Sequence, residues 1–308
     1  MPDGVLATPA PIDGLLLVDK PAGISSHDAV AVARRALGEK RIGHAGTLDP
    51  FATGLLVLLV GRATRLLQHL PHEPKRYNAI VRFGTETDTE DLQGAVTHAA
   101  PLPSVTALEA ARLPLIGAIE QVPPAYSAKR VDGSRAYKLA RQGLTPVLAP
   151  VRVQINELAL DEFELDGSGG VIRCRMRVAC GGGTYVRSLA RDLARAAGST
   201  AHLEALRRTD SGPFSVADAT SVEDLKNGFV TLRAAIEALP GYPRQELTDD
   251  EVTRVTRGID VAALRPGAYA ALTTGDGNGG DTLVAFAERR PSELGDRWQP
   301  RVVMRGDA

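Results

Sequence analysis

Gly43-His44-Ala45-Gly46-Thr47-Leu48-Asp49-Pro50-Phe51-Ala52-Thr53-Gly54 is a loop rich in glycine and threonine that runs directly into the apolar stretch Leu55–Val60. The stretch does not alternate with polar residues, so it reads as a strand buried on both faces. Pro50 lacks an N–H and has a fixed φ, which stiffens the chain just after Asp49. An isolated Asp in a turn most often makes an Asx-turn or a cap. The competing use is a carboxylate held rigid for nucleophilic attack or proton transfer. That use needs a nearby cation and desolvated surroundings, and Arg187 is the candidate cation.

Upstream of this loop, Gly14–Asp19 reads as a short strand that ends in Asp19-Lys20-Pro21-Ala22-Gly23, where Pro21 and Gly23 force a turn. Ser25 or Ser26 then caps a helix whose apolar stripe is Ala29, Val32, Ala33, Ala36 and Leu37, stopped by Gly38. Downstream, Leu66–Leu70 reads as helical and Tyr77–Phe83 as a strand. An acidic loop from Gly84 to Gly94 follows, carrying Glu86, Asp88, Glu90 and Asp91. Its Gly, Thr and Asp content predicts mobility. Residues 101–120 read as a helix with flanking turns.

Val151–Leu160 and Val171–Cys180 read as strands. In the second, Ile172, Cys174, Met176 and Val178 alternate with Arg173, Arg175 and Arg177, which gives one buried and one cationic face. A solvated face and an RNA contact explain those arginines equally well. Gly181-Gly182-Gly183-Thr184 leads into a helix from about Tyr185 to Ala197. Its apolar stripe is Val186, Leu189, Ala190, Leu193 and Ala197, and Arg187, Arg191 and Arg195 line another flank at i, i+4, i+8. A boundary is expected near Leu239-Pro240-Gly241-Tyr242-Pro243. Beyond it lie a helix at about Asp249–Arg257 and strand-like runs near Tyr269–Thr273, Leu283–Ala287 and Arg301–Met304. This mixture is α+β without regular βα alternation.

Composition narrows the function. The 308 residues are 44% hydrophobic and 24% charged, which fits a soluble globular chain and excludes wholesale disorder. No apolar run approaches the roughly 20 residues that a membrane-spanning helix needs. The N-terminal stretch has no positive n-region or sustained apolar core, so residues 1–13 read as a flexible lead-in and the chain as cytoplasmic. Two cysteines cannot build a disulfide framework or a four-ligand zinc site. His44 and Asp49 have no third ligand at metal spacing. The Gly181–Thr184 turn lacks the Gly-Lys-Ser/Thr ending of a P-loop.

Net charge is −1, against coating nucleic acid by charge alone. Residues 171–210 nonetheless carry a local balance of +5. Arginine far outnumbers lysine, through a compositional bias of the genome or through selection for phosphate recognition.

The blocks together resemble the TruB family, the tRNA pseudouridine-55 synthases. Lys20-Pro21-Ala22-Gly23-Ile24-Ser25-Ser26 resembles the family's opening motif, and Gly43–Gly54 its catalytic loop nearly letter for letter. Gly84-Thr85-Glu86-Thr87-Asp88-Thr89-Glu90-Asp91 with Gly94 resembles its acidic loop. Pro123–Ala128 with Gly133, Tyr137 and Arg141, Gly183–Leu189, and His202-Leu203 with Leu206-Arg207-Arg208 complete the set. Single blocks are weak, but six in the right order are specific. One departure is Lys129-Arg130, where many members have Lys at the second place.

By position, the resemblance makes Asp49 the catalytic aspartate and Arg187 its partner. Tyr77 becomes the tyrosine that stacks on the target base, and Lys20 a lysine that supports the site. Leu206 is an apolar wall beside the base, and His44 fills the gap left by the flipped nucleotide. Gly46, Thr47, Asp91, Tyr185, Arg207 and Arg208 fall beside the substrate RNA.

The implied fold is a pseudouridine-synthase-type mixed β-sheet core with flanking helices over 14–240, plus a small PUA-like β module over 243–308. The implied reaction is isomerisation of uridine 55 in the tRNA T-loop, with the T-arm as partner. No cofactor, metal, membrane or obligatory protein partner is called for, and the chain is expected to act as a monomer. Two alternatives are a tRNA-folding protein whose catalysis is secondary, and a guide-RNA-dependent relative acting on rRNA. The second should carry a longer basic tail.

Overall fold

The computed structural model describes residues 12–127, 129–131, 134–136, 139, 142, 144, 148–275, 280–293 and 295–304. Ala128, Gly133, Tyr137 and Arg141 of the sequence blocks, and residues 1–11 of the lead-in, lie outside the described residues. In chain order the elements are β1 (Gly14–Lys20), α1 (Ser26–Leu37), β2 (Ile42–Ala45), β3 (Thr53–Val60), β4 (Lys75–Phe83), β5 (Thr85–Thr87), β6 (Val96–Ala99), α2 (Val105–Arg112) and β7 (Gly117–Gln121). There follow β8 (Arg130–Val131), β9 (Ser134–Arg135), β10 (Val151–Leu165), β11 (Val171–Cys180), α3 (Val186–Ala196), β12 (Ala201–Ser211), β13 (Phe214–Ser215), β14 (Thr220–Ser221) and α4 (Val222–Lys226). The last are β15 (Arg244–Glu246), α5 (Asp249–Thr256), β16 (Val261–Ala262), β17 (Tyr269–Gly275), β18 (Asp281–Arg290) and β19 (Arg297–Val303). The architecture is α+β, and no helix among the described residues is long and apolar enough to cross a membrane.

The main sheet is mixed, in the order β14-β1-β3-β12-β4-β11-β10-β7, with β2 on β3 and β13 on β12. β12 pairs with β4 along its whole length but with β3 only where Arg207 faces Thr53 and Arg208 faces Gly54. The sheet is therefore two halves joined at a short seam. Gly54 has φ +101°, and a Cβ there would lie 2.2 Å from the Arg208 carbonyl, so only glycine lets the halves meet.

Three apolar clusters hold this frame. The inner face of β4, β10, β11 and β12 packs under α2 and α3, through residues such as Val81, Met176, Leu189 and Leu193. α1 packs on β1 and β3. It starts at Ser25, which forms a capping box with Asp28, and stops at Gly38 with φ 63°. The opposite face of β1 and β3 shares its core with Phe286, Val302 and Met304 of the C-terminal sheet. That sheet runs β15-β17-β18-β19-β16. Arg62 donates to the Met304 carbonyl at 2.7 Å, adding a polar tie across the same junction.

Several elements differ from the sequence reading. The helix expected over 101–120 is only Val105–Arg112, and Gly117–Gln121 is an edge strand paired with β10. The turn of helix expected at Leu66–Leu70 is a 3-10 segment, Gly61–His69. The cationic face of β11 is matched by acids from β10 and β12. Arg173 meets Glu164 at 2.5 Å and Glu204 at 3.5 Å, while Arg175 and Arg177 meet Asp161 at 2.6 and 2.7 Å.

The acidic loop is not a free segment. Arg195 reaches Glu86 at 2.5 Å, Arg191 binds Glu90, and Arg187 lies 4.0 Å from Asp91. The arginines at i, i+4, i+8 on α3 are thus a ladder onto which the loop is zipped, with Glu86, Glu90 and Asp91 all buried. The Gly, Thr and Asp content that predicts mobility does not reveal these partners, which lie about a hundred residues away in sequence.

In the C-terminal sheet one buried side chain carries much of the polar order. The Gln245 Oε1 atom accepts from the Trp298 indole at 2.8 Å and from the Leu264 N–H at 2.9 Å, while Nε2 donates to the Ala262 carbonyl at 2.9 Å. Gln245→Leu orphans two donors and an acceptor, each worth about 1–3 kcal/mol when buried, so we expect a loss of about 3 kcal/mol in urea unfolding. A loss below about 1 kcal/mol would show that water reaches these groups.

Candidate active site

Asp49 sits in the loop between β2 and β3, pinned on both sides. Leu48, Phe51 and Ala52 are buried in the inner-face core. Ser26, at the first turn of α1, accepts the Leu48 N–H at 2.9 Å and donates its hydroxyl to the Leu48 carbonyl at 3.1 Å. The Gly23 N–H donates to the Pro50 carbonyl at 2.8 Å, and the Ala52 N–H closes a turn on the Asp49 carbonyl at 3.1 Å. The turn Lys20–Ser26 is therefore a cradle for the loop.

Lys20 completes that cradle. It is fully buried, and its ammonium donates to the carbonyls of Pro21 and Ile24 at 2.8 Å and of Pro50 at 3.4 Å. Burial pushes its pKa down to about 8; the Asp49 charge opposes that shift and Arg208 adds to it.

Arg187 enters from the first turn of α3 and is only 4% exposed. Its Nε lies 2.9 Å from Asp49 Oδ2. Its other nitrogens donate to the Thr89 carbonyl at 2.7 Å and the Tyr126 carbonyl at 3.0 Å. The guanidinium is thereby fixed in the acidic loop's frame and presents one edge to the carboxylate. The Asp49 side chain is 36% exposed, so it is held from behind and open in front. The start of α3 is itself anchored, since Gln121 of β7 bonds both the N–H and the C=O of Tyr185, at 2.9 and 3.1 Å.

Tyr77 and Leu206 project from β4 and β12 onto the same inner face, Tyr77 opposite Arg208 and Leu206 opposite Ala79. Tyr77 is 9% exposed, and burial raises its hydroxyl pKa, with the neighbouring Arg208 working the other way. The phenol is therefore neutral at physiological pH, suited to stacking and hydrogen bonding.

A cleft of about 500 Å³ opens along the seam, between Ala22, Gly23, Phe51 and Thr53 on one side and Asn78, Ile80, Leu206 and Arg207 on the other, with Leu92 and Gln93 at its end. Neither Asp49 nor Tyr77 lines it. Phe51, two residues after Asp49, and Leu206, which shares the inner-face core with Tyr77, both line it.

The other expected site residues fall into two groups. Thr47 is exposed, and Gly46, His44 and Tyr185 are half-buried at the loop and at the start of α3. His44 packs edge-on to His27 at 5.6 Å, and burial lowers its pKa, followed by the charges of His27 and Arg208. Its Nδ1 has no hydrogen-bond partner among the described residues. Burial raises the Tyr185 hydroxyl.

Asp91, Arg207 and Arg208 each bond within the protein, and Arg207 also lines the cleft. Asp91 accepts from Thr89 at 2.7 Å and from the Gln93 N–H at 2.9 Å. Arg207 forks onto Asp19 at 2.7 and 3.0 Å. Arg208 is buried and donates to the carbonyls of Leu55 and Gly46, at 2.8 and 3.0 Å. These three hold the loop and the seam. Nothing in the sequence pointed to the carbonyls of Thr89 and Tyr126, because a backbone acceptor carries no residue signature, or to Gln121, whose amide bonds only to the backbone of Tyr185, 64 positions away. The Gly181–Thr184 turn receives a carboxylate of the protein itself: the Gly182 N–H donates to Glu73 at 2.7 Å.

Residues 34–186 match the family model described as TruB family pseudouridylate synthase (N terminal domain), and residues 187–243 match the tRNA pseudouridylate synthase B C-terminal domain. The chain is 40% identical to tRNA pseudouridine synthase B of Thermobifida fusca (strain YX) over 298 residues, covering 96% of this chain and 99% of that one. It is 43% identical to tRNA pseudouridine synthase B of Mycobacteroides abscessus over 268 residues, covering 85% and 89%. Among solved structures, a chain of an H/ACA RNP bound to a substrate RNA containing 2'-deoxyuridine shares the fold at TM-score 0.67 and 22% identity, covering 95% of this chain and 85% of that one. With family models over the adjoining segments 34–186 and 187–243 and relatives at 40–43% identity over most of both chains, the chain belongs to the TruB family of pseudouridylate synthases.

Proposed function

We propose that this chain isomerises uridine 55 in the T-loop of tRNA to pseudouridine, with Asp49 as nucleophile or essential base. The observation that carries the reading is the Asp49–Arg187 pair, a partly exposed carboxylate on a loop pinned at both ends, backed by a buried guanidinium bonded through all three nitrogens. The relatives named tRNA pseudouridine synthase B support tRNA as the substrate.

The reaction breaks the bond from C1′ to N1 of the uracil, turns the base, and forms a bond from C1′ to C5. The proton lost from C5 is balanced by one gained at N1, so atoms and electrons close without a co-reactant. The base must leave its stack to be reached. Tyr77 supplies an aromatic face and Leu206 an apolar wall on the same side of the sheet. As nucleophile, Asp49 either bonds to the sugar C1′ as the C1′–N1 bond breaks and is displaced when C5 bonds to C1′, or adds to C6 of the uracil and is eliminated once the C1′–C5 bond has formed; as base, it takes the C5 proton and forms no bond to carbon. Lys20 keeps the loop in place through its three carbonyls. We read residues 14–240 as the catalytic domain, 243–308 as a small PUA-like module packed on it, and the working unit as a cytoplasmic monomer acting on the T-arm.

Asp49→Asn should abolish turnover while leaving tRNA affinity within about tenfold, roughly 1.4 kcal/mol. Equal loss of binding and turnover would remove Asp49 from the chemistry. An inactive variant that still speeds tRNA folding would reveal a remodelling role alongside it.

Lys20 gives a pH signature. Its folded pKa of about 8 lies below its unfolded value, so the unfolded chain binds more protons between about 8 and 10.5 and this group's contribution to stability rises over that window. The ammonium that grips the loop is lost over the same window. We therefore expect kcat/KM to fall as pH rises through about 8 without loss of fold. Lys20→Met should show low activity with no such limb. A wild-type profile flat to pH 9.5, or an unchanged limb in the variant, contradicts the role.

A further inference from the structure

Glu90 is a buried acid with an unusual backbone. Its φ is +60°, a left-handed conformation uncommon for a residue with a Cβ. One carboxylate oxygen binds Arg191, and the other accepts the Ser188 hydroxyl at 2.8 Å. Its own carbonyl accepts the Leu203 N–H at 3.1 Å, which ties the loop to β12. Arg191 is buried as well, and also reaches Asp192 and the Val122 carbonyl, at 2.8 and 2.9 Å. The residue just before Glu90 is Thr89, whose carbonyl is one of the acceptors that orient Arg187.

Strain kept at a site is held by surrounding contacts. Here the left-handed turn lets neighbouring residues face α3 together, Glu90 through its side chain and Thr89 through its carbonyl. We infer that the Glu90–Arg191 pair is a positioning device for the reaction: it locks the acidic loop onto α3 so that the Thr89 carbonyl holds the Arg187 guanidinium against Asp49. The next rung, Glu86 with Arg195, serves as the internal control. It joins the same loop to the same helix, but Arg195 is half-exposed, and neither residue touches Arg187 or Asp49. The inference rests on the proposed roles of Asp49 and Arg187.

The test measures single-turnover pseudouridine formation at saturating unmodified tRNA transcript, together with tRNA Kd. Rates are normalised to the folded fraction from thermal melts. Glu90→Gln keeps the shape and removes the charge. It should slow the chemical step about ten- to a hundredfold, the scale set by a small misplacement of a catalytic group. Its Kd should stay within about twofold, and Arg191→Met should behave alike. The double variant should be no slower than either single one, since both break one unit. Glu90→Asp, which keeps the carboxylate, should recover part of the rate, and Glu86→Gln should react at the wild-type rate. A normal rate in Glu90→Gln with Asp49→Asn dead overturns this inference alone. So do additive losses in the double variant, or a slowing fully explained by unfolded protein. Turnover by Asp49→Asn overturns the reading of the site itself.

Discussion

A buried guanidinium must have its charge and its donors met inside the protein, because leaving them unmet costs several kcal/mol. In this chain Arg187 meets that demand with a carboxylate and two carbonyls from three separate segments, namely Asp49, Thr89 and Tyr126. The side chain on α3 therefore fixes the relative positions of the loop before β3, the acidic loop and the segment after β7. Asp49 is oriented by the Nε edge of Arg187, whose other nitrogens are held by the Thr89 and Tyr126 carbonyls. The same demand explains why the acidic loop is ordered: its acids lie opposite a ladder of arginines on successive turns of one helix.

The second constraint is the seam. A sheet joined through only a short parallel pairing between β3 and β12 leaves an opening, and the cleft occupies it. Consecutive arginines fasten the two halves from opposite faces. Arg207 forks onto Asp19, and Arg208 binds the carbonyls of Leu55 and Gly46. Gly54 permits the close approach. The loop that carries Asp49 leaves directly from this junction, so the rigidity of the seam is passed to the carboxylate. Lys20 and Ser26 brace the loop from the other side.

Much of this was legible in the sequence. The α+β class, the strand at Val171–Cys180, the helix at α3 and its boundaries within a residue or two, and the approximate places of the C-terminal strands follow from periodicity and turn residues. The family's motifs named Asp49 and Arg187, and the fold brings these two together from 138 positions apart. The central strand β12 was not legible, because bulges between Leu203 and Ala205 and between Arg208 and Asp210 break its alternation. The edge strand β7 was hidden beside a helical stretch. The arginine row on β11 reads equally as solvated or RNA-facing charge, and the partners of Arg191 and Arg195 on α3 are not visible in the sequence, since in both rows those partners come from elsewhere in the chain. Arg208 and Asp91 are polar residues in a motif, and only the fold shows that their polarity is used inside the protein.

The most direct measurement incubates the purified protein with an unmodified tRNA transcript, with EDTA and no cofactor, and maps pseudouridine by chemical modification and primer-extension stops. If Asp49 and Arg187 act on uridine 55, a single stop appears at the T-loop uridine. No stop despite salt-sensitive tRNA binding, or a stop at a different uridine, would contradict that assignment.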